Sequence, residues 1–446
     1  MTILNESGVP DVISPLWGLA GLAERLPGTL FVVVGTRADV YLAQSLSGFL
    51  PGFPADRSYG VFGVHPRVVF VVLEPEEKPT SGALASRVVE VADTRRGVGL
   101  VLLIACRSVG LLGVDPGFEA ELSERRLALP VRAVAPDAGI SGFGVFSTSL
   151  EDGVIQTLIE LCPTGGSEPE EERSYAKGTL FGKLRSQPGR RAVGERGARR
   201  PVVSLGALPE SQEELTAELE WAGVEVAGWL PGRETGELPP VDEEAFVATA
   251  DPYLTGAYRI AEERGATTIK TLLPIGVDGT ARFIQDVAAW TGHGTGESDR
   301  ARQVWEELEP LRNRIRGKRI FFTGDTGLEV PLARFLANAG AVILEVGTPR
   351  LEKRFLAAEL AALGEDVDVV ESPEWQAQLT RIDAARPDMV VASPGLYVPL
   401  VARGHLCRSS LDLLSLGVHG YGGAHRVLEF FARTFERAEG LDALNL

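Results

Sequence analysis

The chain alternates between short apolar runs and longer stretches in which apolar residues recur with helical spacing. Each run is rich in β-branched residues and ends in Gly, Asp or Pro, which is typical of a buried parallel strand followed by a turn. In the first part of the chain the predicted strands are Leu30–Gly35, Val68–Leu73, Val98–Cys106 and Val131–Ala135. The alternation predicts parallel sheets covered by helices on both faces.

The same alternation resumes after a break. Residues 164–200 are rich in Gly, Glu and Arg and lack apolar periodicity, which predicts a linker or insertion. Further strands are predicted at Val202–Gly206, Val224–Leu230, Phe246–Ala250, Thr268–Leu273, Arg319–Thr323, Val342–Val346, Val367–Val370 and Met389–Ala392. Helices are predicted at Leu328–Ala339, Lys353–Leu363 and Trp375–Ala385, and a bridging helix within Glu297–Arg316.

These elements predict an α/β protein with three Rossmann-like domains and parallel sheets. The first domain covers residues 1–163, residues 164–200 link it to the second at 201–316, and the third, with a C-terminal helix, covers 317–446. A chain of 446 residues suits this number, since a domain usually has about 100–200 residues.

Composition narrows the functional classes. The formal charge of −17 disfavours nucleic-acid binding, which needs clustered Lys and Arg. Apolar runs such as Val98–Cys106 fall short of the roughly 18 residues that span a bilayer. The N-terminal residues lack the pattern of a secretory signal, so we expect a cytoplasmic protein without a membrane span. The three cysteines, at unrelated spacings, exclude a disulfide scaffold.

Residues that directly follow strands are the first candidates for a site, because ligands of open parallel sheets bind at the carboxyl ends of the strands. Three such segments are Gly35–Asp39, Ala105–Ser108 and Gly324–Gly327. No GxGxxG follows a strand and no GxxxxGK[ST] occurs in the sequence. The chain is therefore expected to bind neither a dinucleotide nor ATP through those motifs.

Each candidate also has a structural interpretation. Asp325 fits the cap of a helix that begins near Leu328. Cys106 ends a very apolar strand and fits a small buried hydrophobe. Asp39 fits a solvent-facing helical position, and the glycine-rich segment around His419 fits either a close approach to a bulky ligand or a turn before the last helix.

One family resemblance covers nearly the whole chain. The segment Asp325–Ala337, DTGLEVPLARFLA, resembles a signature of the N subunit of light-independent protochlorophyllide reductase. Colinear similarity extends through Phe31–Arg37, Val72–Glu74, Val203–Pro209, Leu272–Thr280, Glu345–Pro349, Pro387–Asp388, Gly404–His405 and Val418–His419. Residues 165–200 look like an insertion relative to the family.

The resemblance implies a three-domain, nitrogenase component 1-like subunit of an oxidoreductase. Such a subunit pairs with a homologous B subunit in a heterotetramer and shares a [4Fe–4S] cluster with it. A separate ATP-hydrolysing iron–sulfur protein delivers electrons in this ATP-dependent, ferredoxin-linked reduction of the ring D double bond of protochlorophyllide, a step of (bacterio)chlorophyll biosynthesis. ATP would thus act on the partner only, in agreement with the missing P-loop motif.

The resemblance also assigns site residues. Colinear alignment places the family's three cysteine ligands at Ser14, Asp39 and Cys106, so only one position is still a cysteine. Oxygen donors should weaken cluster binding and change its potential. We expect the three residues to converge at the partner interface, either as an oxygen-rich cluster site or as a polar pocket that has lost its metal. We expect His419 to contribute to the wall of a tetrapyrrole pocket.

Two other functions stay open at this point. The chain could be a divergent paralogue within another nitrogenase-like reductase, such as chlorophyllide reductase. It could also be a non-redox scaffold or chaperone that binds a tetrapyrrole or an iron–sulfur cluster in transit.

Overall fold

The computed structural model describes residues 2–8, 19–41, 66–74, 81–134, 148–164, 202–207, 209–232, 238–292, 299–364, 367–414 and 416–443. The strands are β1 Thr2–Asn5, β2 Thr29–Gly35, β3 Val68–Val72, β4 Leu100–Ala105, β5 Val131–Val134, β6 Val202–Leu205, β7 Val226–Leu230, β8 Phe246–Thr249, β9 Thr267–Thr268, β10 Arg319–Phe322, β11 Val342–Thr348, β12 Asp368–Glu371, β13 Met389–Ala392 and β14 Cys407–Ser409.

Helices separate most of these strands. They are α1 Leu19–Arg25, α2 Ala83–Asp93, α3 Arg107–Leu111, α4 Pro116–Leu127, α5 Thr148–Leu161, α6 Pro209–Trp221, α7 Thr255–Glu263, α8 Gly276–Trp290, α9 Asp299–Glu307, α10 Glu309–Ile315, α11 Glu329–Asn338, α12 Lys353–Leu363, α13 Trp375–Ala385, α14 Pro394–Ala402, α15 Ser410–Leu414 and α16 Gly420–Ala443.

The strands form three parallel sheets, which confirms the predicted α/β class. The first sheet has the order β3-β2-β4-β5, the second β7-β6-β8-β9, and the third β1-β12-β11-β10-β13-β14. Every strand pair in them is parallel. The central strands are buried on both faces, as their continuous apolar sequences predict.

Two strands of the third sheet were not predicted from sequence. Thr2–Asn5, which the domain division assigns to residues 1–163, pairs with Asp368–Glu371. Its four residues are exposed and carry little apolar signal. Cys407–Ser409 has three residues, which is too short for a periodic pattern. Both lie at sheet edges, where pairing rather than side-chain burial defines the strand.

The strand predicted at Thr268–Leu273 is shorter than expected. Only Thr267–Thr268 pair in the sheet. Beyond this strand the backbone N–H of Leu273 donates to the buried Glu359 carboxylate, 2.8 Å away, instead of to a neighbouring strand. Glu359 also accepts from Arg334, whose guanidinium is fully buried and contacts Asp278. These ion pairs and hydrogen bonds link the segment that follows β9 to helices α11 and α12, which pack beside the third sheet.

Each sheet and the helices beside it form one unit of the fold. Carboxylates from one unit also cap helices of the next. Asp152, on α5, accepts the backbone N–H groups of Gly256 and Ala257 at the start of α7. Glu214, on α6, accepts the N–H of Gly422 at the start of α16. Because helix N-termini attract negative charge, part of the chain's acidic excess stabilises contacts between units.

The apolar cores likewise cross between units. One core joins the second and third units, with Phe246, Phe283, Phe335 and Phe431 among its residues. Another joins α5 of the first unit to Tyr258 of the second. Among the described helices, none is both long and apolar enough to span a bilayer.

Candidate functional site

Two adjacent strands of the first sheet bring Asp39 and Cys106 together. Val34 of β2 lies opposite Ala105 of β4, so the turns that follow these strands are neighbours. Gly35 occupies the space between the two side chains. A Cβ atom at Gly35 would lie 2.8 Å from the Cβ of Asp39 and 3.0 Å from the Cβ of Cys106. Only glycine therefore leaves room for both.

The Asp39 carboxylate is held by hydrogen bonds from both turns. Its Oδ2 atom accepts from the N–H of Thr36 at 2.8 Å, from the Thr36 hydroxyl at 2.7 Å and from the Ser108 hydroxyl at 2.5 Å. Burial alone would raise the pKa of Asp39, but these hydrogen bonds outweigh it and hold the pKa below its ordinary value. The group is therefore a carboxylate anion at neutral pH.

Cys106 immediately precedes α3 and is nearly buried, with 7% of its surface exposed. Burial, followed by the negative charge of Asp39, raises the pKa of its thiol to about 12. The sulfur is thus a neutral thiol, and a metal would have to displace its proton on binding.

Two large side chains on the segments that carry this pair are exposed. Tyr41, on the same helical turn as Asp39, is 74% exposed, and Leu111, at the end of α3, is 89% exposed. Single exposed apolar side chains are common on protein surfaces, so these two mark a candidate contact surface only through their place beside the candidate ligands.

The donor set suits a metal centre that is completed by other ligands. Asp39 has a charged oxygen and Cys106 a sulfur, and both residues lie at the carboxyl end of the first sheet. Ser14 lies outside the described residues. Within the described ranges, no three His, Cys, Asp or Glu side chains form a metal-binding group. The assignment of Ser14, Asp39 and Cys106 as ligands stays a prediction, of which the structure brings two members together.

Thr36 and Ser108 lie in two of the segments after strands that the sequence singled out, but no role was predicted for their hydroxyls. Thr36 and Asp39 have the T-x-x-D spacing of a capping box. The backbone nitrogen of Asp39 lies 3.5 Å from the hydroxyl oxygen of Thr36, to which its N–H donates. That spacing would have linked the two residues. Ser108 has no such signal, because it reaches Asp39 from the next strand of the sheet.

His419 lies in a different place, at the junction of the second and third sheets. It is 7% exposed, and its Nε2 is 2.9 Å from the carbonyl oxygen of Ala250. Its Nδ1 is buried and has no hydrogen-bond partner among the described residues. Burial lowers the pKa of His419 to about 4, so the ring is neutral. Its assignment to a pigment pocket stays a prediction.

Charged groups from all three units meet near this histidine. Arg25 of α1 forms a 2.8 Å ion pair with Glu151 of α5 and donates to the carbonyl of Ala207. Asp251, just after β8, accepts the N–H of Tyr253. Burial and the nearby Glu151 carboxylate raise the pKa of Asp251 to about 7. The junction therefore holds two groups that titrate far from their ordinary ranges.

The prediction that Asp325 caps the helix after β10 is wrong. The first turn of α11 has no side-chain cap from it, and Asp325 instead accepts the Ser410 hydroxyl at 2.7 Å. Glu329, the first residue of α11, folds back over the turn before the helix, where its Oε1 accepts the N–H groups of residues 325, 326 and 327 and the Thr326 hydroxyl. The longer glutamate side chain can fold back over the turn, which Asp325 cannot do from its own position.

Comparison with known proteins identifies the family. A model of the nitrogenase component 1 type oxidoreductases matches residues 195–436, more than half of the chain. The chain belongs to this nitrogenase component 1 family. Two solved nitrogenase structures, "Nitrogenase Cp1 at pH 6.5" and the same protein at pH 5, cover 98% of the chain with TM-scores of 0.69 and 0.68. The alignments span 94% and 90% of those chains at 14% and 13% identity, which shows a common fold.

Family members of known name align over almost the full length. The chain is 32% identical to the light-independent protochlorophyllide reductase subunit N of Roseiflexus castenholzii, across 99% of this chain and 96% of that one. It is 31% identical to the subunit N of Heliobacterium modesticaldum, across 98% and 97%. For the subunit N of Synechocystis the identity is 30%, across 98% and 94%. The predicted family resemblance is confirmed.

Proposed function

We propose that the chain is the N-type subunit of an ATP-dependent reductase that reduces the ring D double bond of protochlorophyllide in (bacterio)chlorophyll biosynthesis. The observation that carries this proposal is the alignment with subunit N of three distant bacteria over 98–99% of the chain. An alignment of this extent includes all three sheets and the segments that carry the candidate site residues.

The open edge of the first sheet is the part of the chain that suits an iron–sulfur cluster. When bound, a [4Fe–4S] cluster supplies one-electron transfer. Cys106 would hold it through sulfur and Asp39 through oxygen, and Ser14 is the third proposed ligand. The exposed Tyr41 and Leu111 support a partner subunit at this edge, because a shared cluster needs ligands from both chains.

The partners are proposed from the family to which the chain belongs. A homologous B-type subunit would complete the cluster site in a heterotetramer. A separate iron–sulfur protein would hydrolyse ATP, in agreement with a sequence that has no P-loop motif.

The pigment site is proposed at the junction around His419. Segments after the second and third sheets meet there, and parallel sheets bind ligands at such carboxyl ends. The bridge between Ile275 and His419 fixes this segment against the second unit. The ring is neutral, and its Nδ1 has no hydrogen-bond partner among the described residues, so it would offer the pigment one polar contact. The cavity beside Val418 has a volume of only about 10 Å³, so a tetrapyrrole would need this junction to open.

Reconstitution of the complex tests the function. The chain is co-expressed anaerobically with a homologous B-type subunit and purified, and the iron protein, ATP and dithionite are added to protochlorophyllide. The proposal predicts stoichiometric co-purification and an ATP-dependent shift of the pigment absorbance to that of chlorophyllide. Chlorophyllide is offered in parallel, and reduction of that pigment alone would assign the chain to the related reductase. Pigment binding without any reduction would favour the non-redox scaffold.

A further inference from the structure

The turns after β2 and β4 hold the Asp39 carboxylate in an asymmetric way. Among the described residues, all side-chain and backbone donors that reach this carboxylate end on Oδ2. The other oxygen, Oδ1, accepts no hydrogen bond from them. One oxygen is thus held by three donors, and the second by none of the described residues.

A capping box explains only part of this arrangement. The Thr36 N–H and the Asp39 carboxylate by themselves complete the start of the short helical segment at residues 37–41. The Ser108 hydroxyl is not required for the cap, because it comes from the neighbouring strand end, yet its 2.5 Å bond to Oδ2 is the shortest of the three. Ser108 also accepts the Thr36 N–H at 3.3 Å, so it joins the two turns that carry Asp39 and Cys106.

We propose that Ser108 is a positioning residue, which holds Asp39 through Oδ2 and leaves Oδ1 for the metal that Cys106 would also bind. The inference rests on the proposed cluster and deepens it, because it makes this chain's contribution a mixed oxygen–sulfur set rather than an all-cysteine one. Metal-bound carboxylates are commonly oriented by hydrogen bonds to the oxygen that does not coordinate. The glycine at position 35 serves the same end, since any Cβ there would lie 2.9 Å from Oδ2.

The consequence for the cluster is an electronic one. A hard carboxylate ligand favours oxidised iron and lowers the reduction potential. The Ser108 hydrogen bond withdraws electron density from that carboxylate and partly offsets the effect. Loss of the hydroxyl should therefore loosen the ligand and lower the potential further.

The test uses the purified complex with its B-type partner. In Ser108→Ala we expect iron to be lost to a chelator roughly tenfold or more faster than in wild type, with altered EPR g-values of the reduced cluster and a lower midpoint potential. Ser108→Thr keeps the hydroxyl and should restore all three.

Ser123→Ala is the matched control, since it removes a buried hydroxyl of the same unit that donates to the Glu119 carbonyl and not to Asp39. Asp39→Asn keeps the side-chain shape, removes the charge, and should release iron faster than Ser108→Ala.

The outcomes separate this inference from the function on which it rests. A Ser108→Ala complex that matches Ser123→Ala in iron retention, EPR spectrum and potential would overturn the positioning role, while pigment reduction would still support the reductase. A wild-type complex that reduces the pigment but holds no iron at this interface would overturn the inference and the cluster assignment together. Absence of both iron and pigment reduction would overturn the proposed function as well.

Discussion

The carboxyl ends of the first and third sheets use the same local arrangement in different surroundings. In both, a threonine after a central strand donates its N–H and its hydroxyl to one oxygen of a carboxylate three residues later: Thr36 to Asp39, and Thr326 to Glu329. Large side chains near Asp39 are exposed. Glu329 is 3% exposed and packs at the contact between the second and third units.

The surroundings decide what each carboxylate can do. Glu329 completes the hydrogen bonds of three buried backbone N–H groups, and the adjacent cavity, of about 10 Å³, has room for no more than one water. Each carboxylate keeps a second oxygen without a partner among the described residues, but Oε2 of Glu329 is buried whereas the Asp39 side chain is partly exposed. The same sequence spacing therefore stabilises the fold in one unit and, in the proposed cluster site, would position a ligand in the other.

The largest expected effect separates the two positions by stability. Glu329→Ala leaves three buried N–H groups unpaired and should lower the free energy of unfolding by about 3 kcal/mol or more. Asp39→Ala removes a partly exposed cap and should cost about 1 kcal/mol. Urea unfolding followed by circular dichroism measures both. An equal or larger loss in Asp39→Ala would break the comparison.

A second prediction concerns the exposed side chains near Asp39. The double variant Tyr41→Asp, Leu111→Asp should weaken association with the B-type partner roughly tenfold or more, because charges replace apolar groups at the proposed interface. Its unfolding midpoint should stay near that of wild type, since both side chains are exposed. Trp221→Asp, at a side chain 75% exposed in the second unit, is the control. If Trp221→Asp weakened association equally, the effect would not be specific to the edge of the first sheet, and the proposed partner interface there would be contradicted.

The junction should also differ from the open edge in its response to pH. The folded pKa of Asp251, about 7, lies above its ordinary value, so its stabilising contribution is present at low pH and lost as pH rises from about 4 through 7. His419, with a folded pKa of about 4, has the opposite sign and loses stability as pH falls below 6.5. Glu151, Asp152 and Arg25 act on Asp251, and Glu151 and Arg426 act on His419.

Single variants should separate the opposite contributions of Asp251 and His419 to the pH dependence of stability. Relative to wild type, Asp251→Asn should gain on the order of 2 kcal/mol between pH 4 and pH 7. His419→Gln should gain relative to wild type as pH falls from 6.5 to 4. Thermal unfolding across this range measures both. Parallel curves for wild type and Asp251→Asn would contradict the account of the junction.

Sequence patterns predicted the repeating architecture well because each central strand is apolar along its whole length. The elements that were missed are those defined by distant partners. Thr2–Asn5 is exposed and gains its strand conformation from residues more than 360 positions away. Glu329 could have been assigned from its spacing to Thr326, but the sequence directed attention to Asp325, whose acceptor role depends on Ser410 from the far end of the chain.

The candidate site divides in the same way. Asp39 and Cys106 were placed by family resemblance and by their positions after strands, and the parallel register of β2 and β4 explains why they meet. Ser108 lay in a candidate segment, but its hydrogen bond to Asp39 was not predicted, because a contact between two turns depends on the register and twist of neighbouring strands. Sequence spacing alone does not specify that contact.

The most direct measurement of the central claim, that the open edge carries a mixed-ligand cluster, compares Asp39→Cys with Asp39→Ala in the purified complex. Iron content and the midpoint potential of the reduced cluster are determined for both variants and for wild type. A cysteine at position 39 is a soft thiolate donor, so Asp39→Cys should retain iron and raise the potential, whereas Asp39→Ala should lose iron. If Asp39 were only a helix cap, cysteine would replace it no better than alanine. Equal iron content and equal potentials in the two variants would contradict the account.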